Sequence, residues 1–172
     1  MVAVFDIETT GLNPYGSKII LIGMKARGKV RQWKLWDDPY GDEAAMILLA
    51  LGEIEQTYDT ILGYNNLKFD IPFMLKRLEI LGKSDPKFWE IHNKKWFDLY
   101  QFLGNDFRSL SLWLEKAGIK RAAPDLDGSD IPIFYQQKDY PKIEAHNTDD
   151  LHTSEALFLF LKKENPELLR FG

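Results

Sequence analysis

The sequence contains no cysteine, which excludes disulfides, thiolate zinc sites and cysteine nucleophiles together. Any bound metal must be held by carboxylates or by the three histidines. Long hydrophobic runs are missing as well. The longest, Ala44 to Leu51, spans eight residues against the roughly 20 that a membrane-spanning helix requires, so no membrane segment is expected. No basic region and small-residue cleavage site frame the first strand-like run, so no signal peptide is readable and a cytoplasmic location is expected. Internal repeats, low-complexity tracts and charge runs beyond pairs such as Lys94-Lys95 and Asp149-Asp150 are also absent. The simplest organisation is one continuous domain over residues 1–172.

What is present is a globular composition. With 45% hydrophobic, 28% charged and 13% aromatic residues, disorder is excluded as the main theme, and 172 residues suffice for one sizeable core. A net charge of −4 from 26 acidic and 22 basic residues argues at first against a polyanionic partner. Four carboxylates converging on two divalent cations would cancel it.

Val2 to Ile7 is a β-branched and aromatic run that ends in the turn formers Thr9-Thr10-Gly11-Leu12-Asn13-Pro14. Two further runs, Lys18 to Ala26 and Val30 to Trp36, are separated by Arg27-Gly28-Lys29, and the three together predict an antiparallel meander. Helical spacing of Ile47, Leu51, Ile54 and Tyr58 predicts a helix over about 42–58. Thr60 to Gly63 reads as a short buried strand, and Ile71 to Leu81 as a helix stopped by Gly82. Short helices are expected over Trp96 to Leu103 and Ser109 to Ala117, the second with Ser109 as N-cap. Lys120 to Pro141, rich in proline, glycine and aspartate, reads as a long surface loop, followed by a last helix from Pro141 to about Lys163. This element order predicts an α/β, ribonuclease H-like mixed sheet, a three-stranded meander plus parallel strands, flanked by helices.

Four places carry chemistry. Asp6 and Glu8, two apart on a strand, project from one face. Such a pair is either a solvent face or, where the strand is internal, two like charges that repel unless a cation lies between them. Asp70 stands at the start of a helix with Pro72 just inside it, which suits an N-cap as well as a ligand. His146 and Asp150, four apart on a helix, share a face with about 5–6 Å between Cβ atoms; they form a surface pair or act together, while Asp149 points away and is expected to be solvated. Asp98 is read as a helix cap, with service to the site as the alternative. His92 and His152 are taken as surface residues, and Trp33, Trp36, Trp89, Trp96 and Trp113 as core or interface. Lys68, Lys94, Lys95, Lys120 and Arg121 are candidates for phosphate contacts, with solvated surface cations as the equal alternative.

In order along the chain, these segments resemble the three exonuclease motifs of the DEDD superfamily of 3′-to-5′ exonucleases, as found in family B DNA polymerase proofreading domains and stand-alone archaeal single-strand-specific enzymes. Phe5-Asp6-Ile7-Glu8-Thr9-Thr10-Gly11 resembles the first motif. Gly63-Tyr64-Asn65, three residues, then Phe69-Asp70-Ile71-Pro72 is similar to the second. In the third motif, tyrosine precedes its aspartate by four residues or histidine by five. This chain has histidine with the tyrosine spacing, His146 to Asp150, and His146 is read at the tyrosine position.

The resemblance implies a metal-dependent 3′-to-5′ exonuclease acting on single-stranded nucleic acid, with DNA favoured, in repair or replication. It implies two Mg²⁺ or Mn²⁺ ions held by Asp6, Glu8, Asp70 and Asp150, with His146 orienting or deprotonating water. It further implies substrate contacts from Thr9, Thr10, Gly11, Leu12, Asn65 and Phe69. A homo-oligomer would improve the grip on a strand. The alternatives are an exoribonuclease, a structure-specific endonuclease on the same fold, or a non-catalytic module.

Overall fold

The computed structural model describes residues 1–37, 41–83, 91, 94–104, 109–165 and 167. Strands β1 (Val2–Thr9), β2 (Ile19–Ala26) and β3 (Lys29–Lys34) form the expected antiparallel meander, and β4 (Thr60–Gly63) and β5 (Lys95–Asp98) extend it. The order is β3-β2-β1-β4-β5, with β4 parallel to both β1 and β5. The helices are α1 (Glu43–Thr57), α2 (Asp70–Ile80), α3 (Leu99–Phe102), α4 (Leu110–Ala117), α5 (Ile131–Gln136) and α6 (Tyr140–Glu164). This five-stranded mixed sheet flanked by helices is a ribonuclease H-like α/β fold.

Side chains alternate across β1, and the alternation positions everything that follows. Ala3, Phe5 and Ile7 join Ile47 and Ile54 of α1 and Met74 and Leu78 of α2 in one core. Val4 faces the other way, against Leu62 of β4, Leu114 of α4 and Leu151, Leu157 and Leu161 of α6. Asp6 and Glu8 continue the Val4 row, so the sheet directs both acids at α6. A third cluster of Ile20, Leu21, Ile131 and Ile143 fastens α5 between β2 and α6.

Two expectations need correction. Lys95–Asp98 is a strand, not the first turn of a helix; the helix is only Leu99–Phe102. An aromatic stretch this short satisfies either period, and pairing with β4 decides it, with Ile61 beside Trp96 and Leu62 beside Phe97. The stretch read as a loop between Lys120 and Pro141 contains a 3-10 turn at Gly128–Asp130 and the helix α5. Ile131 is buried there, and Pro132 falls within the first turn of α5, where its missing N–H costs nothing.

Ser109 occupies the N-cap position of α4 but makes no side-chain capping bond, whereas Asp98 does cap α3, accepting from Tyr100 and Gln101 N–H. Trp33 is core; Trp36, Trp96 and Trp113 are half-buried. His152 is exposed, with Nδ1 2.8 Å from Lys25 Nζ. His92 and Trp89 lie outside the described residues. Among the described residues no helix is long and apolar enough to cross a membrane.

Candidate active site

The C-terminal ends of the parallel strands β1, β4 and β5 open on one side of the sheet, where ligands of open α/β sheets bind. The register of β1 against β2 shifts between Glu8 and Thr9, an irregularity of the kind that re-aims side chains at a strand end. Beyond it, Thr10 closes the turn: its N–H donates to Lys18 O at 3.0 Å and its Oγ1 accepts from Lys18 N–H at 3.0 Å.

After β4 the chain turns through Asn65, at φ 65°, a left-handed conformation that asparagine tolerates better than most residues. Asn66 folds back over Gly63, and its Nδ2 donates to Phe5 O at 3.1 Å. A Cβ on Gly63 would lie 1.6 Å from Asn66 Oδ1, so only glycine fits. Asp98 at the end of β5 braces the same turn, accepting from Asn65 N–H at 2.9 Å and Leu67 N–H at 3.1 Å. This bracing role exceeds the cap read from the sequence.

Asp70 then opens α2 at its first helical position, with Phe69 at the N-cap. Its carboxylate accepts from Ile7 N–H on β1 at 3.1 Å, which brings it between the two acids of that strand in sequence. From α6, His146 Nδ1 lies 3.0 Å from Glu8 Oε1 and 3.8 Å from Asp150 Oδ2. One cleft of about 240 Å³ is lined by Asp6, Glu8, Thr9, Leu12, Asn65, Phe69, Asp70, His146 and Asp150, among others. The structure thus brings the five candidate catalytic residues together, with four of the six candidate substrate contacts on the same wall.

Glu8, Asp70 and His146 are buried, and the Asp150 side chain is 20% exposed. Burial first, then the charges of Glu8, Asp70 and Asp150, hold the Asp6 carboxyl well above the usual carboxylate range. Glu8 is raised chiefly by burial, against the hydrogen bond and charge of His146. Asp70 is pushed up to about 7 by burial, against hydrogen bonds from its own N–H, Ile7 N–H and Asn66. Burial alone would lower His146, but the hydrogen bond and charge of Glu8, with Asp150, more than offset it and raise the imidazole above 6.5.

The donor set is made of hard oxygen ligands whose mutual repulsion a divalent cation would relieve. In chemistry it fits Mg²⁺ or Mn²⁺. Among the described residues no group of three or more His, Asp or Glu is gathered in a metal-holding arrangement, and a protein group reaches each of the four acids. Asn147 Nδ2 donates to Asp6 Oδ2 at 2.8 Å, His146 faces Glu8, Ile7 N–H meets Asp70, and Arg121 Nη2 pairs with Asp150.

Arg121 and Asp149 both depart from expectation. Asp149 is buried, not solvated; it accepts from Arg121 Nε at 2.8 Å and Ala122 N–H at 2.8 Å. Arg121 is no free surface cation but ties the segment after α4 to both aspartates. Lys94 Nζ likewise donates to backbone, to Tyr58 O at 3.1 Å, while Lys68 lies over the Tyr100 ring at 5.3 Å. Asn147 was missed by spacing; the signal that pointed to it is Gly23, a glycine inside a strand that marks close approach by another group.

The sequence profile of the RNase_H superfamily matches residues 3–161. No curated protein matches. Among solved structures, the family B DNA polymerase from the hyperthermophilic archaeon Pyrobaculum calidifontis is similar at 20% identity with a TM-score of 0.73, over 98% of this chain and 24% of the polymerase. An exonuclease I crystallised with the inhibitor BCBP is similar at 12% identity and a TM-score of 0.65, over 99% of this chain and 42% of that one. An SSB/exonuclease I structure with the inhibitor CFAM gives 13%, 0.66, 99% and 43%. The chain therefore spans about a quarter to under half of these proteins, and at such identities the likeness concerns the fold. With the profile spanning β1 to α6, the chain belongs to the RNase_H superfamily.

Proposed function

We propose that this chain is a 3′-to-5′ exonuclease that removes nucleotides from single-stranded DNA. The observation that carries the reading is the convergence of Asp6, Glu8, Asp70, His146 and Asp150, from three separate segments, on one cleft. The similarity to a family B DNA polymerase and to exonuclease I favours an exonuclease, and the polymerase favours DNA.

Asp6, between the other acids, would hold both of two Mg²⁺ or Mn²⁺ ions, Glu8 and Asp150 one of them, and Asp70 the other. Such ions supply charge neutralisation at the phosphoryl group and a water ionised near neutral pH. His146 would orient a water or take its proton through Nε2, Nδ1 being committed to Glu8.

The terminal nucleotide lies against Thr9 to Leu12. Leu12 is 82% exposed at the rim, suited to an apolar contact with a base. Asn65 Oδ1, buried in the wall, has no hydrogen-bond partner among the described residues; a turn of its side chain into the cleft that it lines would let it accept one from the sugar. The next nucleotides enter an adjoining groove of about 680 Å³ walled by Tyr64, Asn65, Lys68, Tyr100 and Leu110. Its aromatic rings stack on unpaired bases of any sequence.

The test is digestion of 5′-labelled single-stranded DNA and its RNA counterpart with Mg²⁺ or Mn²⁺, each with free and blocked 3′ ends. A descending ladder from free ends only, faster on DNA, is expected. Internal cuts despite the block would mean an endonuclease, faster RNA digestion an exoribonuclease, and no cleavage a binding module. His146 adds a second expectation. If His146 takes the proton, activity falls on the acid side as the imidazole is protonated, and His146→Ala is expected to change that limb, leaving only the part set by the acids. An unchanged limb would take the proton-handling role away from it.

A further inference from the structure

Asp6 on β1, Gly23 on β2 and Gln32 on β3 are register partners in three adjacent strands. They form one straight row across the sheet, on the face turned to α6. The middle member has no side chain, and Asn147 of α6 fills the space: a Cβ on Gly23 would lie 1.9 Å from Asn147 Oδ1. Asn147 is fully buried and bridges the two outer members. Gln32 Nε2 donates to Asn147 Oδ1 at 3.1 Å, and Asn147 Nδ2 donates to Asp6 Oδ2 at 2.8 Å.

The direction of this chain of bonds is fixed from its far end. Gln32 Nε2 also meets the backbone oxygen of Glu144 at 3.0 Å, and a peptide carbonyl can only accept. Gln32 must therefore turn its NH₂ group towards α6. That in turn makes Asn147 present its oxygen to Gln32 and its own NH₂ to Asp6. The hydroxyl of Thr148 also lies 3.1 Å from Nε2, so the two hydrogens of this NH₂ are shared among three oxygens, all on the α6 side. One oxygen of Asp6 is thus engaged by a rigid amide, and the carboxylate cannot rotate without breaking the bond.

We infer that Asn147 is a positioning residue that holds the Asp6 carboxylate for divalent-cation binding, with Gln32 setting the direction of its amide and Gly23 providing the space. The inference rests on the metal reading proposed above. Partners of metal-ligating groups are worth about 10–100-fold in metal affinity. Asn147 touches neither water nor phosphate in this role; it acts through Asp6.

The experiment is Mn²⁺ binding without substrate, by calorimetry or by the resonance signal of free Mn²⁺, on protein verified as folded by circular dichroism. The wild type, Asn147→Ala, Gln32→Met, Gly23→Ala and, as a control, Asp6→Asn are compared. Asn147→Ala is expected to weaken Mn²⁺ binding about 10–100-fold. Gln32→Met, which leaves every acid and Asn147 in place, is expected to fall between Asn147→Ala and the wild type. If either buried substitution fails to fold, Gln32→Met still decides. Wild-type affinity in the folded Asn147→Ala or Gln32→Met variants, with binding lost in Asp6→Asn, overturns the positioning role and leaves the metal reading standing. Failure of the wild type to bind Mn²⁺ overturns both.

Discussion

Replacing Asp6 with asparagine should lower metal-dependent turnover by about a thousandfold or more while making the metal-free protein more stable. The first part follows from several kcal/mol of charge stabilisation lost with the cations, at about 1.4 kcal/mol per tenfold in rate. The second follows from crowding. Burial and the charges of Glu8, Asp70 and Asp150 raise the Asp6 carboxyl well above 3.8, so the folded state binds this proton more tightly than the unfolded chain. A group of that kind makes stability rise as pH falls.

Wherever the wild-type carboxyl is ionised its neighbours repel it, and Asp6→Asn, which lacks that charge, should then melt at a higher temperature; pH 8 is the alkaline arm of the comparison. The difference should shrink as the pH is lowered and the wild-type carboxyl takes up its proton, and saturating Mn²⁺ should reverse it by stabilising only the wild type. Melting curves at pH 8 and pH 5, each with and without Mn²⁺, test all three. Equal destabilisation of the variant at both pH values would mean that Asp6 is needed for folding and not crowded at all.

Side-chain periodicity made much of this arrangement legible. Asp6 and Glu8 share a face because strands alternate, and His146 and Asp150 because helices repeat after about four residues. The structure brings both pairs to one cleft. Partners set by tertiary packing were not legible. The bond from His146 to Glu8 joins residues 138 apart, and nothing in the local pattern of either segment requires it. Asp149 lies about 100° from its neighbour Asp150 on the helix, but the segment after α4 covers that side, and Arg121 with Ala122 N–H engages it. β5 was hidden because Trp96 and Phe97 suit a strand as well as a helix, and α5 because Pro132 and Gly128 read as loop formers when they mark helix starts.

The largest effect on stability is expected from Arg77, which lies far from the acids and still shapes their surroundings. In the last turn of α2, its Nε and Nη2 donate to the two oxygens of Glu43 at 2.8 and 2.7 Å, and its Nη1 donates to Pro14 O at 2.8 Å. Glu43, buried at the start of α1, also accepts from Ile19 N–H at 2.8 Å. One ion pair thus joins α1, α2, the start of β2 and the turn that carries Leu12. Arg77→Ala leaves the Glu43 carboxylate buried without its counter-charge, a loss of about 3–5 kcal/mol. At roughly 2–4 °C per kcal/mol for a chain of this size, melting should fall by roughly 6–20 °C. A double variant, Glu43→Leu with Arg77→Met, removes both charges and should recover part of that loss, the rest being the cost of Ile19 N–H left without its acceptor. It does not restore the bond to Pro14, so the turn keeps only its own closing bonds between Thr10 and Lys18; the KM for single-stranded DNA, expected to rise in Arg77→Ala, should stay raised in the double variant while kcat recovers. Full recovery of KM in the double variant would show that Arg77 supports the fold and does nothing for the turn.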